Sequence, residues 1–185
     1  MNNARAVPVL MYHHVSPAAG AVTVSQMAML ARDGYTTLGA AALGEYLAGK
    51  PVPERSVVLT FDDGYLDNWV HVHPVLARHG FTAVGFLVSA WVNSGPVRPN
   101  AANSASPLNL PGHSAAKAAI QAGDTDQAIM HWSEIDAMRQ SETFEFHSQT
   151  CIRIRARLMR IVAASLALPV LVGIAPAAWW RWSIV

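Results

Sequence analysis

Cysteine is almost absent from this sequence: Cys151 stands alone, which excludes a disulfide-stapled scaffold. Charge is sparse too. Only 14% of the 185 residues are charged against 52% hydrophobic, and 13 basic residues nearly balance 12 acidic ones, for a net charge of +1. A chain so close to neutral lacks the basic footprint of a nucleic-acid binder, and one so apolar can bury a core and is not disordered. No repeat of solenoid period is present. The apolar run over residues 7–11, preceded by Arg5, is too short for a signal-peptide core, so the chain as written is expected to start in the cytoplasm. These exclusions leave one ordinary domain or a fragment of a larger one.

The averages hide a break near residue 150. All 12 acids, all 8 histidines and 8 of the 13 basic residues precede it, a net charge of −4. Beyond it lie Arg153, Arg155, Arg157, Arg160 and Arg181, no acid, no histidine and three of the six tryptophans.

Before the break, the pattern predicts alternating strands and helices. Residues 7–12 read as a strand that delivers His13 and His14 to a loop. Ser25 offers an N-cap oxygen to a helix bearing Met27, Leu30 and Ala31, with Gly34 as its left-handed stop. A short strand over 35–38 and a second helix ending at Gly49 follow. Residues 56–61 (SVVLTF) are β-branched without alternation, as in a central parallel strand covered on both faces. A helix over 66–79, despite Pro74, and a strand over 81–88 complete a β-α-β unit with a crossover long enough for parallel pairing. Residues 93–127 read as a long loop with a helix around 115–121. A helix over 131–140 and a strand over 143–146 ending at His147 come last.

The sharpest chemical feature is Thr60-Phe61-Asp62-Asp63-Gly64, at the C-terminal end of the strongest strand. Loops converge on ligands at that edge of parallel sheets, so adjacent carboxylates there are well placed for chemistry. An Asp-Gly turn leaving a strand is the plainer alternative. The second feature is Glu145-Phe146-His147-Ser148-Gln149-Thr150, also after a strand. A lone histidine there is more often a hydrogen-bonder than a ligand.

Together these segments resemble the polysaccharide deacetylase family, the NodB-homology domains of carbohydrate esterase family four. The TFDDG motif of that family is matched at Thr60 to Gly64, and its His-Ser/Thr-x-x-His motif at His147 and Ser148. Met130-His131-Trp132, with Met138, resembles the segment that usually precedes the second motif. The opening Pro8-Val9-Leu10-Met11-Tyr12-His13-His14-Val15 is similar to the start of the poly-N-acetylglucosamine deacetylases, whose barrel order is permuted. The likeness spans residues 7–150. It implies a distorted (β/α)7 barrel, here incomplete, and a metal-dependent hydrolase that removes N-acetyl groups from an amino-sugar polysaccharide or oligosaccharide. An acetyl ester on xylan is the other bond open to the same attack. By the same resemblance, Asp62 is the catalytic base, His13 rather than His14 the general acid, and Asp63 and His147 ligands of a divalent ion, with zinc first in line. Ser148 supports the second-motif loop.

The pattern is broken where the family has its second ligand histidine, because this sequence has Cys151 there. A thiolate can bind zinc, so Cys151 is carried as a substitute ligand. The family's later arginine-bearing and aspartate-bearing motifs have no counterpart. Codons for Cys151-Ile152-Arg153-Ile154-Arg155, read two bases later, permit His-Thr-His-Thr. We therefore expect a partial deacetylase domain over 1–150 and a non-homologous tail over 151–185 produced by a frameshift. The rival readings of the tail are a membrane helix over 161–180, uncharged and flanked by arginines, and a buried core helix. The alternative to an enzyme is a catalytically dead carbohydrate-binding or membrane-tethered remnant.

Overall fold

A computed structural model describes residues 4, 6–15, 17–104 and 108–149. Its elements are β1 (Val9–Tyr12), α1 (Pro17–Arg32), β2 (Thr36–Thr37), α2 (Ala40–Leu47), β3 (Ser56–Asp63), α3 (His73–His79), β4 (Ala83–Leu87), α4 (His113–Ala122), α5 (Trp132–Gln140) and β5 (Phe144–Ser148). Every pairing between these strands is parallel. Strands β1, β3, β4 and β5 lie side by side in that order, and β2 pairs with the first two residues of β3.

The sheet is organised around β3, whose first six residues are all buried. Val57, Leu59 and Phe61 join the main core, with Met27 of α1, Leu76 of α3 and Met138 of α5. Val58 turns to the opposite face, against Leu38 and Val84. Both faces are thus covered, which is why the strand shows no alternation in sequence. Each such side chain stabilises the fold by roughly 1.5–3 kcal/mol, so β3 anchors whatever chemistry its end carries. At the open margin of the second face, Val9 and Met11 of β1 are 50% and 59% exposed.

Two elements differ from expectation. Ser25 does not cap a helix: α1 already begins at Pro17, and the Ser25 hydroxyl donates to the Ala21 carbonyl at 2.9 Å. A proline suits a first turn because it has no N–H to lose, and a mid-helix serine bonds backwards instead of capping. The helix after β3 forms, but as a π turn over Asn68–Val72 leading into α3. That wider turn puts Pro74 in the first turn of α3, where it breaks no hydrogen bond. Gly80 closes α3 at φ +64°.

The long loop is fastened rather than loose. Arg98 grips Glu134 of α5 through two bonds of 2.7 Å, and its own N–H donates to the same carboxylate at 3.0 Å. Glu134 is fully buried and also accepts from the His131 N–H at 2.8 Å, which caps α5. Among the described residues no helix is long and apolar enough to cross a membrane. The expected out-of-frame tail, membrane helix and core helix all fall on 151–185, outside the described residues.

Candidate active site

Residues in register on a parallel sheet project from the same face. Asp62 pairs with Phe86, and Phe86 with His147. Tyr12 ends β1 opposite Phe61, so His13 follows level with Asp62. His13, Asp62, Phe86 and His147 therefore make one row across the C-terminal end of the sheet, the edge where α/β proteins bind ligands.

Within that row His13 Nε2 stands 3.6 Å from Asp62 Oδ2, with the histidine 44% and the aspartate 13% exposed. This is an ion-pair approach, longer than a hydrogen bond. Burial pushes the Asp62 carboxyl above its ordinary value, His13 opposes the rise and Asp63 adds to it. Burial raises Asp63 as well, again against the pull of His13. The three groups thus sense one another.

Asp63 reaches this company through its backbone. Its φ is +72°, a left-handed conformation that aspartate tolerates better than most residues, and Gly64 follows at +81°. A Cβ on Gly64 would sit 2.9 Å from Leu87 Cδ2, so both φ and space demand glycine there. The Asp63 N–H donates to Gln149 Oε1 at 3.2 Å, while the Gln149 N–H donates to the Leu87 carbonyl at 2.7 Å. Gln149 in this way ties the end of β3 to the segment carrying His147.

His147 is half-exposed, with its ring 5.8 Å from that of Phe86 and its Nε2 3.9 Å from Glu145 Oε1. Glu145 is held in turn by the Ala40 N–H. Asp63 and His147 offer an oxygen and a nitrogen donor, a set suited to zinc or another first-row ion. Two strand spacings, roughly 10 Å, separate the backbones of Asp62 and His147, within the joint reach of side chains converging from both strands. Among the described residues no three His, Cys, Asp or Glu side chains are grouped to hold a metal, and Cys151 lies outside them.

Residues 49–158, more than half of the chain, match the sequence profile of the polysaccharide deacetylases. The chain belongs to the polysaccharide deacetylase family. A stretch of 70 residues is 41% identical to the poly-β-1,6-N-acetyl-D-glucosamine N-deacetylase of Escherichia coli K12, covering 37% of this chain and 10% of that protein. Among solved structures, IcaB from Ammonifex degensii is similar with a TM-score of 0.57 at 20% identity, over 81% of this chain and 54% of that one. The de-N-acetylase from Aggregatibacter actinomycetemcomitans is similar with a TM-score of 0.54 at 23% identity, over 78% and 55%. The chain thus spans about half of these deacetylase structures and a tenth of the Escherichia coli relative. The family's α/β fold with a parallel sheet is the one found here.

Some residues of this candidate site escaped sequence reading. Glu145 sits two residues before His147 on one strand, so it shares that face, a signal present in the spacing. Gln149 and Asp67 carried none, because their roles depend on contacts between segments distant in sequence. The His14 side chain is buried, with Nδ1 3.5 Å from Asp67 Oδ2 and Nε2 3.2 Å from the Pro111 carbonyl, unlike the half-exposed His13.

Proposed function

We propose that this site performs metal-assisted N-deacetylation of a polymer of N-acetylated amino sugars, with Asp62 as base, His13 as acid, and Asp63 and His147 as ligands of a divalent ion, zinc by its donor set. The observation that carries the reading is the His13–Asp62 approach of 3.6 Å in the same row as His147. Membership of the deacetylase family supports it, and the activity for which the Escherichia coli relative is named points to β-linked N-acetylglucosamine as the substrate class.

An amide resists hydrolysis because its carbonyl is a poor electrophile and its amine a poor leaving group. A bound ion supplies polarisation of the carbonyl and a lower pKa for water. Asp62, its basicity raised by burial, takes the proton from the attacking water as the new C–O bond forms. The C–N bond then breaks, and protonated His13 gives its proton to the departing sugar nitrogen, leaving acetate and a free amine. Base and acid, at the ends of adjacent strands, would serve the two halves of the reaction.

Metal analysis of the purified protein, combined with an acetate-release assay on N-acetylglucosamine oligomers, tests the proposal. Stoichiometric zinc, with release abolished by Asp62→Asn and retained metal, is the expected result. Folded, metal-free protein that binds the glycan without releasing acetate would replace the enzyme with a binding remnant.

A further inference from the structure

Asp67 is nearly inaccessible, at 3% exposure, and lies beyond the residues that touch the reaction. Its Oδ2 accepts the Val15 N–H at 2.7 Å and stands 3.5 Å from His14 Nδ1. These are the two residues directly after His13. On its other side His13 follows Tyr12, the last residue that β1 pairs with β3. His13 is thus strung between a strand ladder and a carboxylate, and its side chain has no anchor of comparable depth. The His14 ring extends the clamp, meeting the Pro111 carbonyl at 3.2 Å and the edges of Tyr65 and His113.

We propose that Asp67 is a positioning residue for His13: by fastening His14 and Val15 it holds the His13 ring against Asp62. The inference rests on the reading of His13 and Asp62 as acid and base. Without the clamp the chain keeps its holds at Tyr12 and at the buried Val15 side chain, but the backbone between them loses its fixed point and the His13 ring can turn away from Asp62. Moving the ring from 3.6 Å to about 10 Å from Asp62 cuts their electrostatic interaction by about threefold, and more once salt intervenes.

The test is a coupling measurement by NMR on protein carrying labelled histidine, with the His13 ring resonances assigned through His13→Gln. In the otherwise unaltered chain, Asp62→Asn displaces those resonances; no displacement would refute the His13–Asp62 approach, and the inference with it. In folded Asp67→Ala, or in Asp67→Ser whose hydroxyl stops short of Val15, the displacement falls at least about threefold, following the distance argument above. In Asp67→Asn, whose amide oxygen still accepts the Val15 N–H, more than half of it is retained. Full displacement in either truncated variant, or an asparagine variant no better than alanine, overturns the positioning role while leaving the acid–base reading intact. A merely stabilising Asp67 would change the folded fraction, not the coupling within it.

Discussion

Asp67 also makes the pH dependence of stability calculable. The fold raises its pKa to about 7, through burial first and against two backbone N–H donors, those of Val15 and Asn68. In the unfolded chain it titrates near 3.8. The folded state therefore keeps a proton that the unfolded state has lost, so this group's contribution to stability is complete below about pH 4 and is lost as pH rises towards 7. At 1.36 kcal/mol per pH unit the whole span amounts to roughly 4 kcal/mol, of which roughly 3 kcal/mol falls between pH 5 and pH 8. Against a domain stability of roughly 5–15 kcal/mol such a slope is measurable. Half-buried His14, His71 and His73, whose pKa values are lowered by desolvation, work in the opposite sense, losing stability as pH falls. The contributions of His71 and His73 cancel when the chain is compared with Asp67→Asn, and of the three only His14, 3.5 Å from Asp67, is touched by the substitution. Urea unfolding followed by tryptophan fluorescence at pH 5 and pH 8 measures the difference. Between pH 5 and pH 8, Asp67→Asn should gain roughly 3 kcal/mol relative to the parent. Parallel pH profiles for the two would refute the assignment of a buried, proton-retaining carboxyl.

Arg98→Met should cost about 3–5 kcal/mol in urea unfolding, because it strands the fully buried Glu134 carboxylate; a loss under about 1 kcal/mol would contradict the buried pair. Gly85→Ala places a methyl 2.5 Å from the Phe146 ring, so it should lower stability by about 1–3 kcal/mol and shift the resonances of neighbouring His147 in the same NMR spectra. In the metal-free protein the Asp62 carboxyl should titrate above its ordinary value, because burial outweighs the pull of His13; a carboxyl NMR titration placing it at or below that value would refute the role of burial.

The central strand was legible because a fully covered strand needs an unbroken apolar run, and SVVLTF is one. The β-α-β order followed from two apolar runs around a helix closed by Gly80, and the helix expected over 131–140 from its periodicity is found over 132–140; the one expected around 115–121 runs over 113–122. The start of α1 was not legible, since it rests on Pro17 and on a serine that bonds backwards within the helix. Nor was the π turn, which reconciles Pro74 with a continuous helical pattern. At the site, Asp62, Asp63, His13 and His147 were named from motif residues, and the register puts His13, Asp62 and His147 in one row. What joins them is tertiary: Gln149 on the Asp63 amide, and Asp67 on the chain after His13, pair residues 86 and 52 positions apart, which no local pattern encodes.

The backward bend at Asp63 has a mechanical corollary. Neighbouring residues of a flat strand look to opposite sides, yet here the strand leaves its regular path at the second carboxylate, which still raises the pKa of the first. In the proposed mechanism, proton acceptor and ion ligand would consequently share a single stiff stalk rooted in the sheet. Any displacement of that stalk carries both together, so retuning one by remodelling its support would drag the other with it, and independent adjustment would have to come from the His147 side.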